Sequence, residues 1–215
     1  MSLESLNLEL FSLLNMPEHA SILMQHFAIF IAHDLVYLMV AIFALLWLRG
    51  NNGTKTLLVK AFIFTVIALS ISEIASYILN TPRPFVMHVG HTLIEHDATG
   101  SFPSNHMTIF SSIAFAYYFS VRRDIGKFLL AVAWLVAWSR IYVGVHFPVD
   151  MVGGFMIALV VNLIGLPLWF KYSEKLMSWI LSLHHFLFKP LIRKNIIKKL
   201  KKAIKKAIKK AIKNP

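Results

Sequence analysis

A polytopic, all-α membrane helix bundle is the fold class this sequence predicts. Three observations carry that expectation. The chain has 215 residues, 57% of them hydrophobic and only 15% charged, where a soluble domain carries about 25% charged residues. Its mean hydropathy is +0.65, and the apolar residues gather into runs of roughly 20, long enough to cross a bilayer as helices. The basic residues fall in alternate connections, the pattern that orients membrane helices. Cysteine is absent, which excludes disulfides, thiolate nucleophiles and cysteine metal sites. The first residues carry Glu4 and Glu9 rather than a basic cluster, so no cleavable signal peptide is expected.

The elements follow in order. Residues 1–20 hold spaced leucines, Phe11 and Met16 among polar residues, which reads as a helix lying in the membrane interface. The membrane body is residues 21–172, with five spans at about 23–48, 57–79, 105–121, 127–144 and 149–170. In 173–192, Trp179, Phe186 and Phe188 alternate with Lys175, His184 and His185. That segment reads as a second interfacial helix, the alternative being a sixth span. Residues 193–215 form a polybasic tail. Eleven of the 22 Lys and Arg residues, and no acid, lie from Arg193 onward, so the formal charge of +12 falls to +1 without them. The repeated Ala-Ile-Lys-Lys places Ile204, Ile208 and Ile212 roughly on one side of a helix. A helix resting on anionic lipid is the expected use. No nucleic-acid motif accompanies it.

Basic residues set the expected orientation. Arg49, Lys55 and Lys60 border the first connection, and Arg122, Arg123 and Lys127 the third. These and the tail face the cytoplasm if there are five spans, which puts the 80–104 loop and the turn near residue 146 outside. Arg83 and Arg140 then lie on the side where basic residues are scarce, and need a functional reason.

Three pieces supply one. They are Pro82-Arg83-Pro84, Pro103-Ser104-Asn105-His106, and Ser139-Arg140 followed by His146 and Asp150. Two histidines, two arginines, a hydroxyl and a carboxylate can transfer a phosphoryl group without a metal. One imidazole is the nucleophile, another the acid, and the guanidinium forks hold phosphate oxygens. Taken alone, His146 and Asp150 are also spaced as two metal ligands on one helix face, or as a structural pair at a helix end.

The three pieces together resemble the signature of the type 2 phosphatidic-acid phosphatase superfamily. The third piece matches throughout at Ser139, Arg140, His146 and Asp150. The second matches at Pro103, Ser104 and His106, with Asn105 where the family has glycine. The first matches at Arg83 and Pro84, with Ser76 in the position of its lysine. The stretch from Arg83-Pro-Phe to Ser101-Phe-Pro-Ser104 is similar to the bacitracin-resistance type of undecaprenyl-diphosphatase. The resemblance implies that His146 forms a phosphohistidine, Asp150 fixes its tautomer, and His106 is the general acid. Arg83, Arg140, Ser104 and Asn105 would bind the phosphate. It implies hydrolysis of undecaprenyl diphosphate at the outer face of a bacterial cytoplasmic membrane. Recycling of the lipid carrier for peptidoglycan synthesis, with bacitracin resistance as a by-product, would follow.

Other readings stay open on the sequence. Another lipid phosphatase or phosphotransferase would keep the same residues and act on phosphatidylglycerol phosphate, phosphatidic acid or a lipid A headgroup. Asp34 and Glu73 fall inside spans, where ionisable groups are costly. They read as auxiliary site residues, or as the relay of a membrane transporter with His33. His88, His91 and His96 read as part of a lid rather than a zinc site. No metal and no cofactor is expected, and the expected partners are an isoprenoid lipid diphosphate and, through the tail, anionic lipids.

Overall fold

The computed structural model describes residues 2–193, and every regular element among them is helical. The elements are α1 (Leu3–Leu14), α2 (Ile22–Ile29), a π-helical turn (Phe30–Asp34), α3 (Leu35–Arg49), α4 (Asn52–Leu79), α5 (Asn105–Tyr118), α6 (Arg123–Tyr142) and α7 (Pro148–Arg193). Their starts follow local chemistry. Ser2, Ser21, Asn51 and Ser104 cap α1, α2, α4 and α5 by accepting from backbone N–H groups three residues on. Pro148 opens α7, where its missing N–H costs nothing.

Four stretches are long and apolar enough to cross a membrane: Ile22–Arg49, Asn52–Leu79, Arg123–Tyr142 and Pro148–Leu183. Their outward faces carry large apolar side chains such as Leu23, Phe62, Ile78 and Ile164, a surface that suits lipid rather than water. The expected third span departs from this. It is α5, 14 residues long and about 21 Å at 1.5 Å per residue, well short of a hydrocarbon core of about 30 Å. Its compensation is burial: Met107, Thr108 and the whole run Phe110–Tyr117 are inside the protein.

The packing around α5 explains its small residues. Ser112 meets Asn162 of α7, whose amide donates to both the Ser112 carbonyl and hydroxyl. Phe115 packs edge-on against Phe155 at 5.1 Å. A Cβ at Gly154 would collide with the Ser104 carbonyl and Thr108, so glycine there lets α7 approach the start of α5. At the other end, the buried Lys60 ammonium of α4 donates to the carbonyls of Ala116 and Phe119 at 3.2 and 3.1 Å. It satisfies carbonyls that the ending helix leaves open and sits at the negative end of its dipole.

The described chain divides into one unit, Met1–Trp169, and a second from Phe170 onward. Helix α7 runs unbroken through the segment read from sequence as a separate helix at 174–190, because no proline or glycine interrupts residues 169–189. In the second unit, Lys171 lies over the Tyr172 ring. The tail expected at 193–215 lies, apart from Arg193, outside the described residues.

Helix α1 does more than lie at a surface. Phe11 is fully buried and meets the Phe147 ring at 5.1 Å. Asn15 donates to the carbonyls of His91 and Tyr142 and accepts from the His91 N–H. Asn7 accepts from the Val149 N–H. One helix thus ties the 80–104 loop to the connection between α6 and α7.

Lys60→Met is expected to lower thermal stability in detergent, by about 1–3 kcal/mol for carbonyls left unpaired. Its kcat should be unchanged, because Lys60 serves the end of α5 away from Ser104. A melting curve and a turnover assay on the same preparation check both.

Candidate active site

Five segments of the first unit meet at the start of α5. Arg83 and Ser101 come from the 80–104 loop, Ser104 and His106 from the first turn of α5, and Arg140 from the last turn of α6. His146 comes from the connection that follows, and Asp150 from the first turn of α7. Gly144, at φ +80°, turns the chain tightly between Arg140 and His146 where its missing side chain lets the His91 carbonyl approach.

Asp150 orients His146. Its Oδ2 accepts from the Phe147 N–H at 2.8 Å and from the Ser101 hydroxyl at 2.5 Å. It also accepts from the His146 Nδ1–H at 3.1 Å. All three side chains are buried. On the far side of the imidazole, Arg83 Nη1 donates to Nε2 at 3.1 Å. An arginine has no lone pair to offer, so Nε2 is the unprotonated nitrogen. Two independent neighbours therefore fix the same neutral tautomer. Burial, then the charges of Arg140 and Arg83, hold the His146 imidazole well below its ordinary pKa, so it is neutral at neutral pH.

The two arginines are used differently. Every N–H of Arg83 is engaged: Nε with the Thr99 carbonyl, Nη1 with the Val145 carbonyl and His146, and Nη2 with Gly100 O and Thr99 Oγ1. Arg140 donates only through Nη1, to the Ala32 carbonyl at 3.1 Å. Its Nε and Nη2 are buried with no hydrogen-bond partner among the described residues, and the residue is 2% exposed. An unpaired buried guanidinium is costly, and an anion relieves the cost. The Ala32 carbonyl belongs to the π-helical turn, a kind of distortion frequent at functional sites.

The remaining sequence candidates divide. His106 is half-buried, makes no hydrogen bond among the described residues, and has Arg140, His146, His96 and His33 as electrostatic neighbours. Ser104 is fully buried and caps α5, while its own N–H donates to the Asp150 carbonyl. Asn105 is held from α4: its amide oxygen accepts from Ser72 and its amide nitrogen donates to Glu73, so the side chain ties α5 to α4. Asp34 pairs with His33 at 2.7 Å on an exposed surface. Asp34 and Glu73 thus belong to two local pairs, with no hydrogen bond joining them among the described residues, and form no relay. Ser76 donates to the Gly100 carbonyl, which packs α4 onto the loop that holds Arg83. His88, His91 and His96 do not converge: only His96 reaches the site, its ring 6.2 Å from that of His146.

Ser101 was legible but unassigned. It stands three residues before Ser104 in the motif-bearing stretch, and only the folded chain brings it 49 residues forward in sequence to Asp150. Ser101→Ala is expected to lower kcat about tenfold, the worth of one hydrogen bond to a charged group, with partial rescue by Ser101→Thr. Steady-state kinetics on the two variants test it. The pH dependence follows from His146. Its neutral form is the expected nucleophile and its pKa is depressed, so kcat/KM should stay near its maximum as pH falls to 6.5 and decline only below. An acid limb centred above 6.5 would show that another group controls it.

Comparison with known proteins shows the family. Residues 56–174 match the PAP2 superfamily model. The chain is 35% identical to YbjG of Escherichia coli over 89% of its length and 97% of that protein. It is 32% identical to the undecaprenyl-diphosphatase BcrC of Bacillus subtilis over 81% of its length and 88% of that protein. The crystal structure of Aquifex aeolicus LpxE superposes with a TM-score of 0.61 at 28% identity, covering 78% of this chain and 99% of that one. Family model, relatives and fold coincide: this multi-pass membrane chain belongs to the PAP2 superfamily.

Proposed function

We propose that the chain is an undecaprenyl-diphosphate phosphatase working through a phosphohistidine intermediate. The observation that carries this reading is a neutral His146 of fixed tautomer beside Arg140, whose Nε and Nη2 await an anion. The name of the Bacillus subtilis relative supports the substrate.

The reaction balances on these residues. His146 Nε2 attacks the terminal phosphorus, and the bond from that phosphorus to the bridging oxygen breaks. Its electron pair leaves with the lipid monophosphate, and His106 gives that oxygen a proton. Arg140 meets the equatorial oxygens in its preformed position. Arg83 Nη1, which occupies Nε2 in the empty site, turns onto the phosphoryl group as the nitrogen is released. Ser104, whose hydroxyl proton has no acceptor among the described residues, donates to a further oxygen. Asp150 stabilises the positive charge gained by His146. Water then attacks the phosphohistidine, His106 takes its proton, and the N–P electron pair returns to Nε2 as phosphate leaves.

The membrane is the bacterial cytoplasmic membrane, with the site on its outer side and the tail inside on anionic lipid. The role is return of the lipid carrier to peptidoglycan synthesis. Phosphate release in detergent with EDTA present tests the reading, comparing undecaprenyl diphosphate with phosphatidic acid. The diphosphate should be preferred and EDTA tolerated. His146→Ala should abolish turnover, and His106→Ala should lower it about 10²–10⁴-fold. Near-normal activity in His146→Ala overturns the mechanism.

A further inference from the structure

The 80–104 loop carries a third histidine to the site. His96 is half-buried, with its ring edge-on to that of His146 at 6.2 Å. Its Nδ1 lies 3.1 Å from the carbonyl of Asp97. With that N–H donated, Nε2 is left without a hydrogen-bond partner among the described residues. Arg83 and Arg140 both act on it electrostatically, and it acts on His106 and His146. It therefore stands among both arginines and both histidines of the reaction, which the mechanism leaves it out of.

Its second surrounding is a cavity. Phe85 and the run from Thr92 to Asp97 line a space of about 790 Å³. His96 both lines this space and packs edge-on against the His146 ring. The loop that presents it is held in place. Asn15 grips His91 from α1, and the Leu93 N–H donates to the Val143 carbonyl beside the catalytic connection.

The pocket at His146 has donors for one phosphoryl group: the free nitrogens of Arg140, Arg83 once displaced, and Ser104. A diphosphate brings a second phosphate that must lie outside that pocket. We propose that His96 binds this inner phosphate, the one that departs with the lipid, and so selects diphosphate over monophosphate substrates. This rests on the lipid-diphosphatase reading above and deepens it.

The charges around His96 suit the task. In the empty site, burial and the two arginines hold its imidazole below the ordinary value, against the Asp97 carbonyl. Glu95 and Asp97 border the cavity but are exposed, so they oppose an anion less than their charge alone suggests. A bound phosphate offsets the arginines. His96 then takes a proton, donating from Nδ1 to Asp97 and from Nε2 to the phosphate, and the departing monophosphate leaves from a site that fits its charge.

The experiment compares farnesyl diphosphate with farnesyl monophosphate in detergent, reading phosphate release as kcat/KM for each. In His96→Ala the diphosphate-to-monophosphate ratio should fall about tenfold or more, the worth of a hydrogen bond to a charged group. His96→Gln, which keeps a donor, should retain part of the ratio. His88→Ala, in the same loop, should leave the ratio unchanged. A parallel loss of both activities in the alanine and glutamine variants, or an unchanged ratio, overturns the role of His96. Wild-type protein that releases no phosphate from either undecaprenyl or farnesyl diphosphate overturns the underlying reading, and this inference with it.

Discussion

A guanidinium held inside the protein with two of its nitrogens unpaired is the constraint on which the rest of the structure depends. Arg140 sits in the last turn of α6 and spends a single donor on the Ala32 carbonyl. That bond takes its acceptor from a π-helical turn, where the hydrogen-bond ladder of the first span is locally rearranged. The remaining cost of the buried charge stays uncompensated until an anion arrives. The site is thus charged in advance, and Arg140 needs no reorganisation to meet an anion. Arg83 contrasts with it. Every donor there is occupied, so it steadies the loop and covers the Nε2 lone pair of His146. The two arginines share a charge but hold different states of readiness.

How much of this was legible in the sequence depends on how far apart the partners lie along the chain. His146 and Asp150 are four residues apart, and helical spacing alone predicts their contact. Arg140 and Ser104 were legible through the company they keep. The bonds of Asn105 to Ser72 and Glu73 are not legible from its neighbours in sequence, because both partners lie on another helix. Ser101 went unassigned and Asn15 unremarked for the same reason: their partners are 49 and 76 or more residues away. The five spans were read from hydropathy, which reports composition and not length in space. It could not tell that α5 is short and enclosed by its neighbours.

That enclosure links packing to chemistry. α5 is held at one end by Lys60 and at the other by its cap, by Asn105 and by the close approach of Gly154. Small hydroxyl residues along it let the neighbouring helices come near; of its own fully buried side-chain polar atoms only Ser111 Oγ is left without a hydrogen bond among the described residues. The first turn of α5, which carries Ser104 and His106, is therefore fixed from three directions. Precision at the site comes from the least lipid-accessible helix in the protein.

The stitching of α1 has a consequence for how the protein comes into being. Asn7, Phe11 and Asn15 are made early, yet their partners lie at His91, Tyr142, Phe147 and Val149. On a ribosome, Tyr142, Phe147 and Val149 are made only after more than half of the body. The first helix must wait at the bilayer with Phe11 unburied until Phe147 arrives. The roof over His146 closes as one of the final events of assembly, so a nascent chain inserted only up to α5 lacks the candidate site. A complete site is thereby a proof of completed insertion.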